Sequence, residues 1–240
     1  MISRKSVSLA LGLMILVAAG RIAATYRMTA PGFDETCHVA AAVELLDRHS
    51  YTIDPVHPPL SRIAVGIPLY LAGVRYPHLP LDTPGVNDYN VVGNHILYDD
   101  GHFLWKLIVA RAVMLPFLAL LTILVFLWAR HEFGDASGLT AAALFTTLPI
   151  VLAFSSLVYT DTPTATAQFA ALLVIRYWLE KSPTWRRASL LGIAVGLAFL
   201  TKFTSLLFLF CAGLACSHVS GWSPKNRRPQ VGASKPGPDS

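Results

Sequence analysis

Beyond residue 111 the chain alternates long uncharged runs with short polar breaks. Residues 112–129 hold eighteen consecutive uncharged positions before Arg130, and residues 136–158 hold twenty-three before Tyr159. At about 1.5 Å of rise per helical residue, such runs cross roughly 30 Å of hydrocarbon. A further run covers 163–179 with Arg176 near its end, and the last extends from Ala188 to about Ser217, interrupted by Lys202. An N-terminal stretch over 6–26 follows Arg4-Lys5 and is broken only by Arg21. The pattern predicts five spans, at about 6–26, 107–129, 136–158, 163–179 and 188–217. The rival for the first is a secretory signal peptide, because Ala18-Ala19-Gly20 resembles a cleavage region. Either reading exports the loop that follows.

That loop, 27–102, is the least lipid-like part and holds six of the eight histidines. After Asp34-Glu35, Val39, Val43 and Leu46 share one helical stripe while Glu44, Asp47 and Arg48 lie on other faces, which predicts an amphipathic helix. Pro58-Pro59 can open a second helix over 59–73 whose Leu60, Ile63, Ala64, Ile67 and Leu71 face lipid or the bundle. Between them, Asp54-Pro55-Val56-His57-Pro58-Pro59 reads as a rigid turn, and 77–101, rich in Pro, Gly and Asn, as irregular loop.

Composition fits a membrane setting: 54% of residues are hydrophobic and 14% charged, with a mean hydropathy of +0.52. The net charge of +5 does not point to nucleic acid, because basic residues stand singly or in pairs at the ends of apolar runs. Arg130-His131-Glu132 and the segment from Lys181 to Arg187 carry them, whereas Tyr159 to Pro163 carries none, so the positive-inside rule sets Asp34-Glu35 and Asp161 on one non-cytoplasmic side. The tail breaks the rule, since five crossings would export Lys225, Arg227, Arg228 and Lys235. Residues 218–240 are expected to be disordered, and a truncated chain would account for the conflict. Cys37, Cys211 and Cys216 are too few and scattered for a disulfide framework or a zinc site of known spacing.

Asp34-Glu35 with His38, the turn His57-Pro58-Pro59-Leu60, Arg111 opening a span that ends in Ala129-Arg130-His131-Glu132-Phe133-Gly134, Thr160-Asp161, and Leu200-Thr201-Lys202-Phe203-Thr204 occur in a telling order. The set resembles the N-terminal portion of lipid-carrier-dependent glycosyltransferases, which include protein O-mannosyltransferases and aminoarabinose transferases. The resemblance covers residues 1 to about 215. It implies an all-α integral membrane protein of the GT-C type, a multi-span bundle whose large exported first loop carries short surface helices. It also implies a polyprenyl-phosphate-linked sugar as donor, a lipid, glycan or protein acceptor, contact with membrane lipid, and localisation in a bacterial inner membrane with the site on the periplasmic face.

The resemblance makes Asp34 the general base, with Glu35 and Asp161 positioning acceptor, donor or metal. Lys202, His57 and Arg111 become candidates for the donor phosphate, whose departing charge cationic side chains would hold. His57 departs from the lysine often found before the two prolines in the aminoarabinose branch. No metal site is assigned, and a divalent ion stays open as a cofactor. Plainer readings compete. Asp34-Glu35 and Asp161 suit helix caps, Lys202 can snorkel from a long tilted helix, and Arg111 and Lys106 suit interfacial anchors. A transporter subunit is a second class of function, for which charges at mid-membrane or paired broken helices would speak. A non-catalytic fragment of such an enzyme is the third.

Overall fold

The computed structural model describes residues 3–79, 88–181 and 184–220, and within them every regular element is helical. In chain order these are α1 (Arg4–Thr25), α2 (Phe33–Val43) continued by a π-helical turn over Glu44–Arg48, α3 (Leu60–Leu71), α4 (Tyr89–Tyr98), α5 (Phe103–Ala112), α6 (Met114–Phe133), α7 (Asp135–Thr147), α8 (Pro149–Ser155), α9 (Asp161–Glu180), α10 (Trp185–Thr201) and α11 (Thr204–Ser220). The protein is an all-helical bundle with helices apolar enough to span a membrane, as the sequence led one to expect.

Among the described residues two helices are long and apolar enough to cross a membrane as they stand: Arg4–Thr25, and Phe103–Phe133 formed by α5 and α6 together. The pair α7 and α8 becomes a third if its 64° bend lies within one span. That bend differs from the straight span expected over 136–158, and Pro149 is the cause. Proline lacks the N–H for the helical ladder and forces the residue before it out of the helical region, so Leu148 is extended at ψ 123°. Around this frame α6 packs on α7 and α9, α9 packs on α10 and α11, and α1 lies along α7. Leu9, Leu13 and Leu16 on α1 and Leu207 and Phe210 on α11 are exposed, as side chains facing lipid should be.

The run expected as a single helix over 188–217 is two helices. Lys202 ends α10 in an extended conformation, φ −160° and ψ 132°, and α11 restarts at Thr204. A continuous helix would hold this ammonium group among apolar side chains, where an unpaired charge is costly. The break lets it reach Asp161 instead.

The segment after α1 forms a packed cap of α2 to α4 on α5. Here α2 is not the amphipathic surface helix that Val39, Val43 and Leu46 suggested, because every residue from Glu35 to Val43 is buried. Its Ala40-Ala41-Ala42 run lets neighbours come close. A Cβ on Gly66 of α3 would lie 2.7 Å from the Ala42 carbonyl oxygen, and one on Gly93 of α4 would clash with the Thr36 carbonyl. Val39, Val43, Val65, Leu69, Val92 and Leu97 fill the core between these helices. Helix α4 also replaces part of the irregular loop expected over 77–101. Asp88 starts it, accepting the backbone N–H groups of Asn90 and Val91 at 2.7 and 3.3 Å. The disordered tail expected over 218–240 begins inside α11 as far as Ser220, and its remainder lies outside the described residues.

Candidate functional site

Glu35 organises one end of the bundle. As the third residue past the cap Gly32, its carboxylate turns back to accept the Gly32 N–H at 2.7 Å, completing the N-terminus of α2. The same carboxylate takes the Arg111 guanidinium in a fork, Nε to Oε1 at 2.9 Å and Nη2 to Oε2 at 2.7 Å. It also accepts the backbone N–H of Val158 at 2.9 Å. Three segments remote in sequence, the start of α2, the end of α5 and the α8–α9 connection, are thus tied to one side chain. Both partners of the pair are 0% exposed.

This placement separates the two acidic neighbours. The capping reading applies to Glu35, whereas Asp34 is exposed and points its position in the helix toward solvent. Arg111, expected at the donor phosphate or the interface, spends its remaining donors on the carbonyls of Tyr26 and Thr29 at 3.3 Å, the Thr29 hydroxyl at 2.9 Å and the Ala30 carbonyl at 3.1 Å. No donor is left for a ligand. Lys106 is likewise buried rather than interfacial, with its Nζ on the Ile96 carbonyl at 2.5 Å and on Asp100 at 2.8 Å.

At the same end, α9 begins at Asp161 beside the close of α10. Lys202 Nζ lies 3.2 Å from Asp161 Oδ1, and both side chains keep solvent contact, at 33% and 47% exposure. Asp161 is the first residue of α9, and the Thr160 side chain makes no cap hydrogen bond, so the aspartate is used for the ion pair.

Tyr159 joins the two sets. Its hydroxyl rests against Gly32, where an added Cβ would stand 2.5 Å away, and its ring meets His38 edge-on at 6.4 Å and Phe154 at 6.0 Å. Burial pushes the phenol above its ordinary value, and the charges of Asp34, Glu35 and Asp161 push the same way. Asp34 and Asp161 thus lie near enough for their charges to act on one hydroxyl.

Behind this rim, Asp54 gathers donors: the Cys37 thiol at 3.2 Å, His57 Nδ1 at 3.3 Å and the buried Arg62 guanidinium. Arg62 also reaches the Asp54 carbonyl and the Tyr51 hydroxyl, so the turn predicted at Asp54 to Pro59 is pinned to α2 and α3 through side chains. Burial and the bond to Asp54 raise the Cys37 thiol to about 12. Burial, then Arg62 and His57, hold the neighbouring His38 down to about 4, a neutral imidazole whose Nδ1 has no hydrogen-bond partner among the described residues. Cys37, His38 and Asp54 bring ligand atoms within 4.8 Å of one another, a group able to converge on an ion. The guanidinium on Asp54 already balances that carboxylate without one.

Sequence reasoning singled out the Asp34-Glu35 and Tyr159 to Pro163 segments but gave Tyr159, Asp54 and Arg62 no role. The polar break itself carried the signal for Tyr159. For Asp54 and Arg62 the signal was the charge flanking the two prolines.

Comparison with known proteins bears on part of this rim. The profile of the dolichyl-phosphate-mannose-protein mannosyltransferase family matches residues 101–231. This range includes Arg111, Asp161 and Lys202, and leaves Asp34, Glu35 and His57 outside. No curated protein and no solved structure matches the chain. With more than half of its 240 residues inside the match, the chain belongs to the dolichyl-phosphate-mannose-protein mannosyltransferase family.

Proposed function

We propose that this membrane protein transfers a sugar from a polyprenyl-phosphate donor to an acceptor hydroxyl, with inversion, at the rim where Asp34, Tyr159, Asp161 and Lys202 gather. The observation that carries the reading is the half-exposed Asp161–Lys202 pair at a helix break, with an exposed Asp34 that has no ion-pair partner among the described residues. An acceptor hydroxyl is a weak nucleophile near neutral pH. Asp34 removes its proton as the oxygen attacks the anomeric carbon from the side opposite the phosphate. The anomeric C–O bond breaks, polyprenyl phosphate departs with the electron pair, and Lys202 neutralises the charge that develops on it. Asp161 holds Lys202 in place before the donor arrives. His57, with Nδ1 turned to Asp54, offers Nε2 to the donor or acceptor. Glu35 and Arg111 build the rim and touch no substrate.

The rim faces the extracytoplasmic side. Its opposite end carries Arg4, Lys5, Arg130, His131, Lys181, Arg186 and Arg187, the basic excess of a cytoplasmic face. The breaks at Pro149 and Lys202 are of the kind a transporter uses, but the family is one of transferases.

Transfer of labelled mannose from a polyprenyl-phosphate donor, assayed with the full chain in membranes, tests the reading. Asp34→Asn should lower the rate by about 10²- to 10⁴-fold while insertion and thermal unfolding stay as in the wild type. Undiminished transfer by that variant removes Asp34 as the base. Asp34→Cys and Asp161→Cys should react with a membrane-impermeant maleimide from the same side, and reaction from opposite sides sinks the shared site.

A further inference from the structure

Of the side chains at the rim, Tyr159 is the one the transfer steps leave without a task, and it is held with unusual care. The Glu35 carboxylate binds both the N–H of Gly32 and that of Val158, so one buried group sets the distance between the residue that seats the hydroxyl and the neighbour that carries it. His38 and Phe154 fix the ring between them. Gly32 has ordinary extended angles, φ −68° and ψ 157°, so glycine is needed there for room rather than for backbone freedom. The room is what the hydroxyl occupies.

Resting on the transferase reading above, we propose that Tyr159 is a sugar-binding residue whose hydroxyl, together with the carboxylates of Asp34 and Asp161, recognises the hexose of the donor. Two carboxylates and a phenol form a set of hydrogen-bond acceptors and one donor, which suits a polyhydroxyl group. The phosphate has its own cation in Lys202, the partner of Asp161. Raised by burial first and by the nearby acidic groups after it, the phenol keeps its proton and stays a donor at any physiological pH. The rim thus divides the donor into a phosphate read by Lys202 and a sugar read by Tyr159.

Two probes that differ by the sugar alone test this division: farnesyl phosphate and its mannosyl ester, titrated against the full chain in detergent. The wild type should bind the mannosylated probe about tenfold more tightly. Tyr159→Phe should bring that ratio to within about twofold, with affinity for farnesyl phosphate and the unfolding temperature unchanged. Gly32→Ala should erase the same preference by displacing the hydroxyl, and should add nothing in the Tyr159→Phe background, where the oxygen it meets is gone. A wild-type ratio kept by Tyr159→Phe overturns the sugar contact. So does farnesyl phosphate binding that Lys202→Met weakens but mannose does not improve, and this outcome leaves the transferase reading standing. Failure of the wild type to bind either probe overturns both.

Discussion

Two ion pairs stand at the same end of the molecule and differ in nearly everything but their charges. Glu35–Arg111 is sealed from solvent and has hydrogen-bond partners beyond the pair, whereas Asp161–Lys202 rests on one contact of 3.2 Å and stays wet. A charge with all its partners inside the protein holds backbone segments together and has nothing left to offer a ligand. A charge with one partner and open water beside it can exchange that partner for a phosphate. Burial, rather than residue type, separates the charge that is fully engaged inside the protein from the one that stays in contact with water.

The difference is most sharply tested by cutting the buried pair. Arg111→Met leaves Glu35 ionised and unpaired in the core, and should cost about 3–5 kcal/mol of stability, enough to remove most folded protein. The double variant Glu35→Gln, Arg111→Met should recover part of the loss, as measured by denaturant unfolding in detergent. A folded, normally stable Arg111→Met protein would mean that Arg111 is free for ligand after all.

Acid should weaken the cap of α2 to α4 next. His38 is held near pH 4 when folded and titrates near 6.5 when unfolded, so the unfolded chain binds more protons between these values. Its contribution is present in full above about pH 6.5 and falls as the pH drops toward 4, by up to about 3 kcal/mol. Glu44, which burial alone would raise, is lowered on balance by the Thr52 hydroxyl and the N–H groups of Ile53 and Thr52, so its contribution is lost in turn as the pH falls further. Hydrogen exchange should show α2 losing protection before α9 as the pH is lowered from 7 to 4, and equal loss in both would place the weak point elsewhere.

The smallest effect on folding belongs to the exposed pair. Lys202→Met should change stability by less than about 1 kcal/mol, because a half-exposed ion pair gains little over water. The same variant should weaken farnesyl phosphate binding several-fold, the opposite profile to Arg111→Met. A Lys202→Met chain that unfolds readily but binds normally would reverse the assignment of the two pairs.

Much of this was legible in the chain. The helical membrane class followed from the long uncharged runs, and the residues of the rim were marked by standing in polar breaks or alone within apolar runs. Lys202 drew notice as a cation in an apolar stretch, and the structure adds that the helix breaks there to let it out. Helix α2 was misread because periodicity reports one buried face, and a helix enclosed on all sides by close-packed neighbours has none to distinguish. The bend before Pro149 was missed although a proline in a helical run is a plain signal, since a long apolar run invites reading as one span.

What the amino-acid order carried by itself was the helical membrane class, since transfer free energy depends on the side chains a stretch contains. Which of two adjacent acids faces water was decided only by folding. Asp34 and Glu35 lie one residue apart in the same helix, about 100° around its axis, and the side on which α5 and the α8–α9 connection close fixes Glu35 as a buried clamp and leaves Asp34 an exposed carboxylate. That closure joins residues more than seventy and more than a hundred positions apart, and no local pattern carries their distance.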